Sequence, residues 1–130
     1  MKENELLDAA ESGDLSVISK FMAEGADVNT MDEHRRSALL KASKHGHKKI
    51  VEFLLDQGAK VNLRDNRGTT AVYWAAVRGH HEIVSLLVDS GAVVTYTDDR
   101  GWAAIDHAKS NQDLEMIALL EEARAAQKVA

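Results

Sequence analysis

The chain has 130 residues, a formal charge of −5 at neutral pH, 45% hydrophobic and 28% charged residues, and neither cysteine nor proline. That length suits one domain, the acidity argues against nucleic acid as a partner, and the lack of cysteine excludes disulfides and thiolate metal sites. The N-terminal MKENELLDAA has no apolar run that could act as a signal peptide, and no stretch approaches the roughly 20 apolar residues of a membrane span. A cytoplasmic or nuclear location is expected.

Read in chain order, the first segment carries Leu6, Ala9 and Gly13, then Val17 and Ile18, and closes on GADVN at residues 25–29. Thirty-three residues on, the same features return as Leu39, Ala42, Gly46, Ile50, Val51 and GAKVN at residues 58–62. They return again as Val72, Ala75, Gly79, Ile83, Val84 and GAVVT at residues 91–95. A fourth pass gives Ile105, Ala108, Met116 and Ile117. Agreement over so many columns marks a tandem array, with units of about 1–31, 32–64, 65–97 and 98–130 in one domain.

The third unit shows most clearly what each column does. Thr70 can cap a short helix running to about Val77, with Val72, Ala75 and Ala76 on its buried face. Gly79 permits a tight reversal into a second helix, where Ile83, Val84, Leu87 and Val88 form one apolar stripe. Gly91 stands where a left-handed residue would end that helix, and a turn-rich stretch leads to Asp98, Asp99, Arg100 and Gly101. No unit can bury its stripe alone, so stability should come mainly from stacking on neighbours.

The ends read as caps. Unit one begins directly at its first helix, with polar Lys2, Glu3, Asn4 and Glu5 expected to face outward, and the array is expected to be complete as written, whether the chain stands alone or is excised from a longer protein. In unit four Arg124 occupies the glycine column, so the last helix should run on through Glu121, Glu122 and Ala125. There Glu121 replaces the apolar Met22, Leu55 and Val88 of the other units, as expected where no fifth unit stacks.

These residues resemble the ankyrin repeat over essentially the whole chain. Unit three, DNRGTTAVYWAAVRGHHEIVSLLVDSGAVV at residues 65–94, is nearest the family pattern D-x-x-G-x-T-P-L-H-x-A-A-x-x-G-H. Unit two follows it from Asp32, with Arg35 in the loop-glycine position. The family proline is replaced by Ala38, Ala71 and Ala104, and the following histidine by Leu40, Tyr73 and Asp106, which marks a natural divergent member rather than a consensus design. The resemblance implies an all-α, L-shaped solenoid of paired antiparallel helices linked by β-hairpin-like finger loops. It also implies that fingers and concave helix face bind a macromolecule.

No catalytic signature is present: there is no G-x-S-x-G elbow, Walker loop or H-E-x-x-H motif, so no catalytic residue, cofactor or metal is assigned and the protein is not expected to be an enzyme. His45, His47, His80 and His81 flank the inter-helix glycines and invite a zinc reading. Equivalent positions of adjacent units lie on the order of 10 Å apart, too far for shared ligation at about 2 Å. The resemblance offers His47 and His80 a structural part instead, hydrogen-bonding the loop backbone. Asn29 resembles a loop asparagine hydroxylated in many ankyrin proteins, beside the simpler reading that it satisfies loop backbone groups.

Charge segregation points to a binding surface. Family-variable positions carry Arg36, Lys44, Arg64, Arg67, Arg78 and Arg100, with Glu33 and Asp99 the only acids among them. The outer helices and ends carry Glu24, Glu52, Asp56, Glu82, Asp89, Glu115, Glu121 and Glu122. Tyr73, Trp74 and Trp102 lie near the basic positions, and Trp and Arg are enriched at binding hot spots. The predicted partner-binding set is therefore Arg36, Lys44, Arg64, Arg67, Tyr73, Trp74, Arg78, Arg100 and Trp102. Its expected partner is a protein, acidic or phosphorylated, bound by a monomer that serves as an inhibitor or regulatory adaptor. A targeting domain of a larger scaffold or enzyme is the alternative, with nucleic-acid binding behind both.

Overall fold

The computed structural model describes residues 2–129, with eight helices. In order they are α1 (Lys2–Ser12), α2 (Leu15–Ala23), α3 (Ala38–Lys44), α4 (Lys48–Asp56), α5 (Ala71–Val77), α6 (His81–Asp89), α7 (Ala104–Ser110) and α8 (Leu114–Val129). Four antiparallel pairs result, each joined by a short turn and linked to the next by a long loop. The odd-numbered helices pack on one another in sequence as an inner row; the even-numbered ones form an outer row. The outward-facing Lys2 and Glu3 side chains expected at the N-terminus lie outside the described residues; Asn4 and Glu5 are exposed.

Small residues let the inner row approach closely. Ala9, Ala42, Ala75 and Ala108 are buried, as are Leu6, Leu39, Val72 and Ile105 beside them. Between the rows lie Ile18, Val51 and Val84, with Phe21, Leu54, Leu87 and Leu120 a turn further on. A continuous core thus threads all four pairs, and each unit supplies only a slice of it.

Capping sets where the inner helices begin. The Ser37 and Thr70 hydroxyls accept hydrogen bonds from the backbone N–H groups of Leu40 and Tyr73 at 3.1 and 3.3 Å. Ala103 has no such oxygen, and Asp106 reaches back to accept from the Ala103 N–H at 2.8 Å instead. Between paired helices Gly46 is required twice over. Its φ is +78°, and a Cβ there would sit 2.8 Å from the imidazole of His80.

The long loops are fingers of one design, at residues 32–36, 65–69 and 98–102. Each starts with an aspartate, Asp32, Asp65 or Asp98, whose Oδ1 accepts from the N–H groups two and four residues later at 2.8–3.0 Å. The fourth position takes left-handed backbone: Gly68 and Gly101 do so freely, and Arg35 does so at φ 63°. Pairing across the fingers amounts to isolated bridges, Met31 with Ser37 and Thr97 with Ala103. The hairpin-like loops are aspartate-closed turns rather than sheet.

The final helix runs on to Val129, where earlier outer helices stop after nine residues. Gln127 explains why the extension stays docked: its amide donates to Ala92 O at 2.7 Å and accepts from Val94 N–H at 3.2 Å.

Candidate inner-face binding site

The fingers and inner helices form one surface, and its most definite feature is a cleft of about 230 Å³ between the first two fingers. Leu40 of α3 and Trp74 of α5 make its floor, while His34 and Arg36 stand on one wall and Asn66 and Arg67 on the other. The walls are tied together, since the Asn66 backbone N–H donates to His34 O at 3.0 Å. Lys44, the last residue of α3, lays its ammonium over the Trp74 ring 4.3 Å from the centroid. The indole N–H is fixed from the other side by Thr69 Oγ1 at 2.8 Å.

The electrostatics of this corner are uneven. Burial, followed by the nearby Arg78 and Arg36 charges, depresses the Lys44 ammonium below the ordinary lysine range. Asp65 reaches the cleft, but its carboxylate is taken by its own finger. Asp32 is taken too, by the Arg36 Nε–H at 2.8 Å and by buried Lys41 at 3.4 Å. Burial opposes its ionisation, yet hydrogen bonds from the Arg36 N–H and guanidinium and the His34 N–H prevail and hold its pKa at about 2. Among the described residues Lys44 and Arg78 have no carboxylate within ion-pair distance.

The other residues of the predicted set divide. Arg100 and Trp102 are exposed at the third finger, with the Trp102 indole 4.9 Å from the His107 ring. Arg67 leans toward that finger, 3.6 Å from Asp99. Arg64 is exposed but committed, donating to Gly68 O at 3.0 Å and Thr97 O at 3.1 Å with its guanidinium over Tyr96, so it braces fingers. Tyr73, also in the predicted contact set, is only 4% exposed. Its hydroxyl donates to Asp98 Oδ2 at 2.6 Å and accepts from His107 Nε2 at 2.8 Å, and burial with the Asp98 contact pushes its pKa well above the usual phenol range. Tyr73 fills the groove between units; Trp74, half-buried, presents the aromatic surface.

His47 and His80 also act differently from the expectation. Their Nε2 atoms meet Glu11 O at 2.8 Å and Lys44 O at 3.1 Å, carbonyls at the end of the preceding unit's inner helix rather than in a loop. They clamp unit to unit. His81 pairs with Asp113 at 2.9 Å, and His45 lies 3.9 Å from Glu11. Among the described residues no cluster of three or more His, Asp and Glu has metal-site geometry. Asn29 accepts from the Lys60 N–H at 2.9 Å, and Asn62 grips Gly91 O and Val93 N–H the same way, so both amides lace consecutive loops together. The aspartate closing each finger was the functional support least visible beforehand; its signal was the column Asp32, Asp65 and Asp98.

The acidic residues assigned to the outer helices and ends are all exposed there, although Lys48 and Lys49 stand among them and Lys48 pairs with Glu82. Among the described residues no helix is long and apolar enough to cross a membrane.

A search of curated proteins finds no match to this chain. The family model described as "Ankyrin repeats (3 copies)" matches residues 6–98 and again 66–129. Those two overlapping matches reach into all four helix pairs and cover all three fingers, so the chain belongs to the ankyrin-repeat family.

Proposed function

We propose that this protein is a regulatory adaptor or inhibitor that, as a monomer, binds an acidic or phosphorylated protein through its fingers and basic inner face. Ankyrin repeats are generally protein–protein interaction modules and typically non-catalytic, which supports the coarse reading. The observation that carries the finer one is the gathering of Arg36, Lys44 and Arg67 around the Trp74 floor of one cleft. Cations above an aromatic floor suit a partner that brings negative charge, and such complementarity raises both specificity and association rate.

Arg67→Glu with Arg100→Glu is the test. Both side chains are exposed, so melting should stay within about 0.5 kcal/mol of wild type. The partner recovered from a pull-down with wild-type protein should be largely lost, together with the salt sensitivity of its binding. Glu52→Lys with Glu82→Lys, on the outer helices, should bind normally. The reverse pattern would make the acidic outer face the working surface.

A further inference from the structure

Within the inner face the cleft between the first two fingers differs from every other corner. It combines an aromatic floor, donors on both walls and one cation, Lys44, with no carboxylate within ion-pair distance among the described residues. The fold's own carboxylates are committed: Asp65 to the Arg67 and Thr69 N–H groups, Asp32 to Arg36 and Lys41, Asp99 to Arg67. Lys44 is held over Trp74, where burial and then the Arg78 and Arg36 charges disfavour its ammonium and the Glu11 charge offsets them only in part. Arg36 uses its Nε–H on Asp32 and keeps its terminal N–H groups for another acceptor.

We infer that this cleft is a subsite for a single anionic side chain, a carboxylate or phosphate on a short stem, carried by an extended segment of a partner protein. The anion lies between Lys44 and the Arg36 guanidinium, and the Asn66 side-chain amide supplies a neutral donor from the second wall. The stem rests on Leu40 and the exposed part of Trp74. A cavity of about 230 Å³ admits one such side chain and leaves the peptide backbone running over the finger tips. This inference rests on the interaction reading above and adds to it a defined pocket and a defined chemistry.

The experiment uses the full isotope-labelled chain and three short peptides identical except at the centre, which carries phosphoserine, glutamate or serine. The Trp74 indole N–H and the Asn66 side-chain amide are followed by NMR, with the backbone amide of Lys49 on the outer row as internal reference. At least one anionic peptide should shift the first two signals saturably while the serine peptide leaves them in place. Tighter binding by phosphoserine identifies a phosphate site, and tighter or equal binding by glutamate a carboxylate site. Lys44→Met, which keeps the aliphatic stem over Trp74, should weaken binding about tenfold or more, as expected for losing a charge-assisted contact. Lys49→Met on the outer row should not. Should Lys44→Met melt abnormally, Asn66→Ala supplies a second comparison from an exposed position on the cleft wall, read on the Trp74 indole, with a smaller loss. Equal shifts from the serine peptide, shifts centred away from the cleft, or wild-type affinity in the cleft variants would overturn the subsite. A silent titration beside an Arg67/Arg100 variant that still loses its pulled-down partner overturns the cleft alone and leaves the broader reading standing. A saturable cleft signal with a partner indifferent to those reversals supports the cleft and overturns the broader reading.

Discussion

Single residues show where this chain departs from the most economical version of its own fold. Arg35 adopts the left-handed backbone that Gly68 and Gly101 adopt at the same step of their fingers, and Gln112 does so in the column of Gly13, Gly46 and Gly79. A side chain in that region is strained, whereas glycine pays mainly in unfolded-state entropy. Arg35→Gly should therefore raise stability by about 0.5–1 kcal/mol, read as a higher denaturation midpoint at unchanged slope. A lower midpoint would mean that the exposed Arg35 side chain makes contacts outweighing the strain. The finger aspartates give the chain an acid limit. Asp32 titrates at about 2, and Asp98 is held far below the carboxylate range despite burial, by the Tyr73 hydroxyl and the Trp102 and Arg100 N–H groups. Both values are depressed on folding, so their stabilisation is fully present above about pH 4–5 and is lost as pH falls toward the folded values. Chemical denaturation between pH 6 and pH 2 should show a falling midpoint, with a shallower fall in Asp32→Asn, which starts lower at pH 6. Parallel curves for the two proteins would remove Asp32 from the account.

Among the elements, the inner helices start alike despite different chemistry. Ala71 is the first residue of α5, and Thr70 before it is extended at φ −124° and ψ 173°. Proline suits that place, since its ring fixes φ, the missing N–H is not part of the helix ladder, and an extended preceding residue avoids its δ-carbon. Ala71→Pro should be neutral or stabilising by about 0.4–1 kcal/mol through the unfolded chain. A loss above roughly 2 kcal/mol in the denaturation midpoint would show that the buried surroundings of Ala71 cannot take the ring.

The molecule as a whole is a line of neighbours. Each helix pair is buried only by the pairs beside it, yet four pairs are few enough to remain coupled. Circular dichroism should show a helical protein with little strand, unfolding in one transition. Leu54, in the middle of the stack, is wholly buried, and Leu54→Ala should cost about 2–5 kcal/mol and shift that transition as a unit. Two separated transitions in the variant would mean that the halves of the stack fold independently.

Much of this was legible in the sequence because the 33-residue period repeats both a helical apolar stripe and its punctuation. A column holding only apolar or alanine side chains can face only the stack, and a glycine column can mark only a turn, so the pairs, the caps at Thr70 and Gly91 and the extension past Arg124 followed without coordinates. What the period could not fix was the direction in which a polar side chain turns. Tyr73 and Trp74 are adjacent and chemically similar, yet one points into the groove between units and the other lies open under Lys44, because a helix turns successive residues by about 100°. Arg64 and Arg67 sit three apart in one loop, yet only Arg67 lines the cleft, because the backbone carbonyls of Gly68 and Thr97 capture Arg64. Composition, together with the family resemblance, supported the expectation of a basic inner face. The cleft within it came from the third dimension, where turns closed by Asp32 and Asp65 bring two fingers together over Trp74 and leave Lys44 without an anion of its own.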